Sequence, residues 1–233
     1  MIGALARSSR SADAARRPYP DPLTIEEYCA VEEAICVALE RIFAEDHLPR
    51  PFDEVKVNTR LAERLNQMLA IGGPVPAFSC RVFETVVRGG EVKNAGGTEL
   101  EKRPDLTVRR AGEHPPGVDR AENALFIECK VIDKDRTMKR YVPDGLLRFV
   151  DGRYAASVTI GLMVGYVDGR YALPTTLRDY LDREGCPCPS RVVARGAPSS
   201  RGVYVTSHDR HTVYPGAGSR GAIRVSHLWV AAR

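Results

Sequence analysis

No stretch of this chain reaches the roughly 18 consecutive apolar residues that a membrane-spanning helix requires, so no segment of it reads as a helical span. Paired cysteines are missing too. The six cysteines, at 29, 36, 80, 129, 186 and 188, contain no CxxC pair, and Cys186-Pro187-Cys188 stands alone. That argues against a structural zinc site and leaves reduced thiols as the expectation. His208, His211 and His227 form neither an HxxxH nor an HxH pair, which removes the simplest histidine metal motifs. His227, between Ser226 and Leu228 on an apolar run, reads as a satisfied core histidine. There is no internal repeat and no separate DNA-reading module such as a zinc finger. Charge of one sign is not in large excess either. Lys and Arg number 34 against 30 Asp and Glu, for a formal +4, a mild lean towards polyanionic partners. Residues 1–22 are rich in Ala, Arg, Ser and Pro, lack the apolar core of a secretory signal, and read as a disordered basic tail. The expected location is the cytoplasm.

What remains suits one domain, residues 23–233, long enough to bury a full core. Thr24 as N-cap, with Glu27 as its capping-box partner, predicts a helix to Asp46. A second helix is predicted from Asp53 to Ala70, stopped by Gly72-Gly73-Pro74. Strand patterns follow at Phe78–Val87, Glu91–Lys93, Leu100–Val108 and Leu125–Ile132. A helix is expected to begin near Pro143, since proline suits a first helical position, and to close at Gly152. Ser157–Val167 is apolar enough for a buried strand or a helix, Leu173–Leu181 reads as a short helix and Arg183–Gly202 as a loop. Val203–Ser207 and Ile223–Val230 read as terminal strands.

Chemistry concentrates in two of these segments. Arg103-Pro104-Asp105-Leu106 places an acid at the start of an apolar run, and Phe126-Ile127-Glu128-Cys129-Lys130 places an acid and a lysine two residues apart. On a strand, residues i and i+2 share a face, so Glu128 and Lys130 project together and Cys129 points away. Charges inside so apolar a strand are costly without partners, and such groups cluster at functional sites. With Asp105 on a neighbouring strand, two carboxylates meet an ammonium. Carboxylates suit a hard divalent cation such as magnesium, and the lysine can orient an attacking water or stabilise phosphate charge.

Pro104, Asp105, Glu128 and Lys130 together resemble the motif of the PD-(D/E)xK nuclease superfamily, the restriction endonuclease-like proteins. The resemblance spans about residues 53–167. It implies an α/β (α+β) fold with an αβββαβ core, a mixed central sheet flanked by helices, an added N-terminal helix and added C-terminal strands. It further implies Mg2+, with Mn2+ as a substitute, held by Asp105, Glu128 and the main-chain carbonyl of Cys129, with Lys130 catalytic.

Members of this superfamily often add an acid from the helix before the first strand, and Glu32, Glu54 and Glu63 compete for that role. Helical phase puts Glu54 within the stripe of Leu61, Leu65, Met68 and Leu69 and puts Glu63 nearly opposite. Glu54-x-x-Val57-Asn58-x-x-Leu61 also resembles the E-x-x-I-T-x-x-L start of that helix in the superfamily. Glu54 is therefore the fourth expected site residue, although an acid there also suits a helix N-terminus. Glu84 and Glu101 read as ordinary strand charges. Lys134, Arg136, Lys139, Arg140 and Arg148 follow the motif and are expected to hold a nucleic-acid backbone, with Tyr141 as a further contact. The expected activity is Mg2+-dependent endonucleolytic hydrolysis of phosphodiesters, with DNA favoured over RNA, in a prokaryotic antiphage defence or restriction system. A companion subunit or a second copy is the expected protein partner. The alternative is a non-catalytic or partner-dependent nucleic-acid-binding subunit of the same fold.

Overall fold

The computed structural model describes residues 21–45, 48–91, 103–113, 120–121, 123–134, 138–153, 158–169, 175–183, 193–195, 203–210 and 222–232. Residues 1–20 of the expected basic tail, the Glu91–Lys93 run beyond Glu91, and Arg136 lie outside the described residues, whereas Asp21 and Pro22, counted within that tail, are described, and Asp21 accepts from Arg224 at 3.2 Å. Helix α1 (Ile25–Glu45) opens on the reciprocal box read from the sequence: Thr24 N–H donates to Glu27 Oε2 at 2.9 Å and Glu27 N–H to Thr24 Oγ1 at 3.2 Å. Helix α2 (Glu54–Ile71) is capped by Asp53, which accepts the N–H groups of Val55 and Lys56. Neither helix is long and apolar enough to cross a membrane, nor is any other among the described residues.

The fold is α+β: a mixed seven-stranded sheet flanked by helices. Strands β1 (Val87–Arg88), β2 (Leu106–Val108), β3 (Leu125–Ile132), β4 (Ile160–Val167), β5 (Val193–Arg195), β6 (Val203–Asp209) and β7 (Ala222–Ala231) lie in the order β1-β2-β3-β4-β7-β6-β5. The central β3, β4 and β7 run parallel, and the flanking pairs are antiparallel. Both β3 and β4 are buried along their whole length, which explains their nearly unbroken apolar sequences.

The alternation of side chains divides the core in two. Ile127, Cys129, Val131, Leu162, Val164 and Tyr166 pack beneath α1 and α2. Phe126, Ile132, Met163 and Val225 pack beneath the second helical layer. That layer consists of α3 (Met138–Tyr141), a π-turn (Val142–Leu146) and α4 (Leu147–Val150), which run on without a break, and of α5 (Thr175–Arg183). Phe149 lies so close to Gly161 that a Cβ there would fall 2.7 Å from its ring.

Three expectations need correction. Phe78–Val87 is mostly a turn, because Ser79 C=O accepts the N–H groups of both Val82 and Phe83. Its buried Phe78 and Phe83 reach the core from that turn rather than by alternation, and buried Val86 is held by the Asn66 side chain. The helix expected near Pro143 starts at Met138, with the proline inside the π-turn. A proline lacks an N–H and crowds the carbonyl four residues back, and the wider π-turn accommodates both defects. Within the Arg183–Gly202 segment read as a loop, β5 pairs with β6.

Candidate active site

The site forms where β2 stops. Its first paired residue is Leu106, opposite Ile127, so among the described residues β3 has no strand partner on that side from Cys129 onward. Side-chain carboxylates take the vacated ladder positions. Asp105 Oδ2 accepts Cys129 N–H at 2.8 Å, and Glu54 Oε2 accepts Val131 N–H at 3.3 Å. Glu54 is delivered from the first turn of α2. One turn on, buried Asn58 fastens that helix to the sheet by accepting Tyr166 Oη–H at 2.7 Å.

Lys130 is the hub. Its Nζ lies 2.8 Å from Glu128 Oε1, 3.1 Å from Glu54 Oε1 and 3.6 Å from Asp105 Oδ2, and donates to Cys129 C=O at 2.9 Å. Arg148, from α4, donates Nη1–H to the same Glu128 Oε1 at 2.8 Å. Three carboxylates thus face two cations, all within one hydrogen-bonded cluster. The Glu128 side chain is fully buried, whereas the Arg148 side chain is 34% exposed. Gly145 lies over the stem of Lys130, and a Cβ there would stand 2.5 Å from Met163 Cε and 3.5 Å from Lys130 Cγ.

Burial, and then the charge of Asp105, push the Glu128 carboxyl up to about 7 although Lys130 and Arg148 pull it down. Burial also works against the Lys130 charge, but Glu128, Asp105 and Glu54 outweigh it and hold the ammonium above its ordinary value. The Cys129 thiol points to the opposite face, where burial above all raises it well beyond its usual range.

The residues expected from sequence divide cleanly. Asp105, Glu128, Lys130, Glu54 and the Cys129 carbonyl come together, and Arg148 joins them at Glu128 rather than standing apart with the other cations. Lys134, Lys139 and Arg140 are exposed beyond β3 and along α3. Glu63 is exposed and pairs with Arg60 at 3.1 Å, and Glu32 is buried within α1. Tyr141, expected to touch substrate, is instead wholly buried, 2.9 Å from His227 Nδ1. The direct Arg148–Glu128 pair was missed. The only signal for it was their 20-residue separation across a strand–helix connection.

His227 is the satisfied core histidine expected. Thr206 Oγ1 lies 2.8 Å from its Nε2 and 2.7 Å from His208 Nε2, completing a Tyr141–His227–Thr206–His208 chain. Burial, then neighbouring His208, lower His227 to about 3, so its imidazole is neutral.

The oxygens of Glu54, Asp105, Glu128 and the Cys129 carbonyl surround one cation, the Lys130 ammonium. Such an all-oxygen donor set fits magnesium in chemistry. With Lys130 at its centre, no group of three or more His, Cys, Asp or Glu among the described residues is arranged to hold a metal ion. Comparison of the chain with protein-family models, with curated proteins and with solved structures returns no match.

Proposed function

We propose that the chain is a Mg2+-dependent endonuclease that hydrolyses phosphodiesters, with DNA as the favoured substrate, on a restriction endonuclease-like αβββαβ core. The observation that carries this reading is the convergence of Glu54, Asp105 and Glu128 on Lys130 from three separate elements. Asp105, Glu128 and the Cys129 carbonyl would hold Mg2+, for which Mn2+ substitutes, with Glu54 adding negative charge beside them. A bound divalent ion supplies Lewis-acid stabilisation of phosphate charge and a more acidic water. Lys130 acts as a donor, orienting the attacking water and offsetting charge on the phosphate oxygens. Lys134, Arg136, Lys139 and Arg140 lie after the motif and hold the backbone of the polyanion electrostatically. Cutting both strands with one site per chain calls for a second copy or a companion subunit, as in a restriction or antiphage defence system.

One observation favours the non-catalytic alternative. The Lys130 ammonium already fills the point where the carboxylates meet, as it would in a purely structural ion cluster. Incubation with supercoiled plasmid, linear duplex, single strands and RNA, in Mg2+ or EDTA, separates the two readings. Cleavage in Mg2+ alone, reduced by about 10²-fold or more in Asp105→Ala, Glu128→Ala and Lys130→Ala, supports the nuclease. Undiminished cleavage by pure Lys130→Ala would remove that residue from the mechanism. Nucleic-acid binding without cleavage of any substrate would favour the binding subunit.

A further inference from the structure

A second group of polar side chains meets at the other end of the sheet, beneath the first turn of α1. There Leu23, Ile25 and Tyr28 roof a cavity of about 90 Å³, floored by Ile160 of β4, Val205 of β6 and Ser226 of β7. Tyr28 is fixed as a wall by its hydroxyl, which donates to Gly161 C=O at 2.9 Å. The cavity is remote from the acid cluster. Lys130 pairs with Gly165, five residues beyond Ile160 on β4, or about 17 Å at the rise of a parallel strand. Ser226 is 4% exposed, and its hydroxyl makes no hydrogen bond among the described residues. A buried hydroxyl without a partner is costly, so the floor of the cavity calls for a polar ligand atom.

The mouth carries one charge of each sign. Exposed Arg224 donates Nη2–H to Asp21 Oδ2 at 3.2 Å, and Thr159 Oγ1–H donates to Asp21 Oδ1. Arg224 thereby spends one of its five N–H groups, and the rest of the fork is open to a carboxylate. An exposed pair of this kind contributes little to stability, so a ligand opens it easily. A net anion is drawn to Arg224 and repelled by Asp21, and a net cation meets the reverse. A ligand with both charges side by side gains from both. The space itself takes about three heavy atoms, at roughly 30 Å³ for each water-sized group. We propose that this cavity binds a small β-hydroxy α-amino acid of the size of threonine. Its carboxylate takes Arg224 and its ammonium takes Asp21. Its hydroxyl meets Ser226, and its methyl group packs on Ile160 and Val205. The proposal is independent of the nuclease reading, since the cavity shares no residue with the Lys130 cluster.

The test is ligand-observed NMR titration of the full chain. Threonine is expected to bind with Kd at or below about 1 mM. Threonine amide, which lacks the carboxylate, and N-acetylthreonine, which lacks the ammonium, should each bind about tenfold or more weakly. Valine has the same shape without the hydroxyl and should bind about fivefold or more weakly than threonine. Arg224→Gln and Asp21→Asn, both at exposed positions, should each lower threonine affinity about tenfold. Ser226→Ala should bind threonine and valine alike. Circular dichroism establishes that each variant is folded, and the four ligands on the unmodified chain decide the matter if one is not. No threonine binding up to about 10 mM, or equal binding of threonine, its amide and its acetyl derivative, overturns the site. A folded Ser226→Ala protein that still prefers threonine to valine overturns the assignment of the hydroxyl to Ser226.

Discussion

Two buried polar clusters stand on one face of the sheet and treat charge in opposite ways. Glu128 on β3, Met163 on β4 and His227 on β7 are register partners across three parallel strands, so a single methionine separates the acid cluster from the histidine chain. Burial opposes ionisation in both. Around Glu128, cations enter from β3 and α4 and pull the carboxyl back towards its ionised form. Around His227 the hydrogen-bond partners are the Tyr141 and Thr206 hydroxyls, so the imidazole sheds its proton. Sheet depth therefore does not decide whether a polar group carries charge. The neighbours delivered by other elements do.

The comparison is broken most directly at Lys130. Lys130→Met would leave Glu128 buried against Asp105 and Glu54 with the hub ammonium gone, and is expected to cost about 3–5 kcal/mol in urea denaturation. A loss below about 1 kcal/mol would mean the cluster behaves like an exposed one.

The two clusters should next separate in pH. Between about pH 4.5 and 7 the folded chain keeps a proton on Glu128 that the unfolded chain releases. Its contribution to stability therefore falls as pH rises, by up to about 1.4 kcal/mol per unit. His227 works the other way. From about pH 6.5 down towards 3 the unfolded chain binds a proton that the folded chain refuses, so stability falls as pH drops. In metal-free protein, Glu128→Gln should flatten the decline on the rising side and His227→Gln the decline on the acid side. Profiles that superimpose on the original would erase the distinction.

The smallest effect belongs to the neutral cluster. Tyr141→Phe removes one hydroxyl beside His227 and is expected to cost about 1–2 kcal/mol in thermal or urea unfolding. It should leave the proposed Mg2+-dependent cleavage intact, since Tyr141 is wholly buried and bonded to His227. A collapse in cleavage by folded Tyr141→Phe protein would join the two clusters functionally.

Much of this was legible in the chain because it is local. The Thr24–Glu27 box marks α1 at one end, and the apolar run Leu125–Ile132 coincides with β3. Helical phase singled out Glu54 because a stripe of buried leucines fixes which way each turn of α2 faces. The misreadings have physical causes as well. The Ser79 turn brings Phe83 to the core without alternation, and Pro143 sits within a helix because a π-turn tolerates it. β5 is a three-residue strand in a segment with few apolar residues, so only its pairing with β6 reveals it.

By itself, then, the sequence determined where the helices and central strands run and which charged side chains share a face, since both follow from spacing along one element. Only the tertiary structure decided which of those faces meet. Packing of α2 brings Glu54 to Lys130 across 76 residues, and the early end of β2 leaves ladder positions on β3 for carboxylates to fill. Packing of the second helical layer brings Arg148 of α4 to Glu128 across 20 residues. Periodicity records which side of its own element a residue faces, and carries nothing about the neighbour that burial of the whole core will place there.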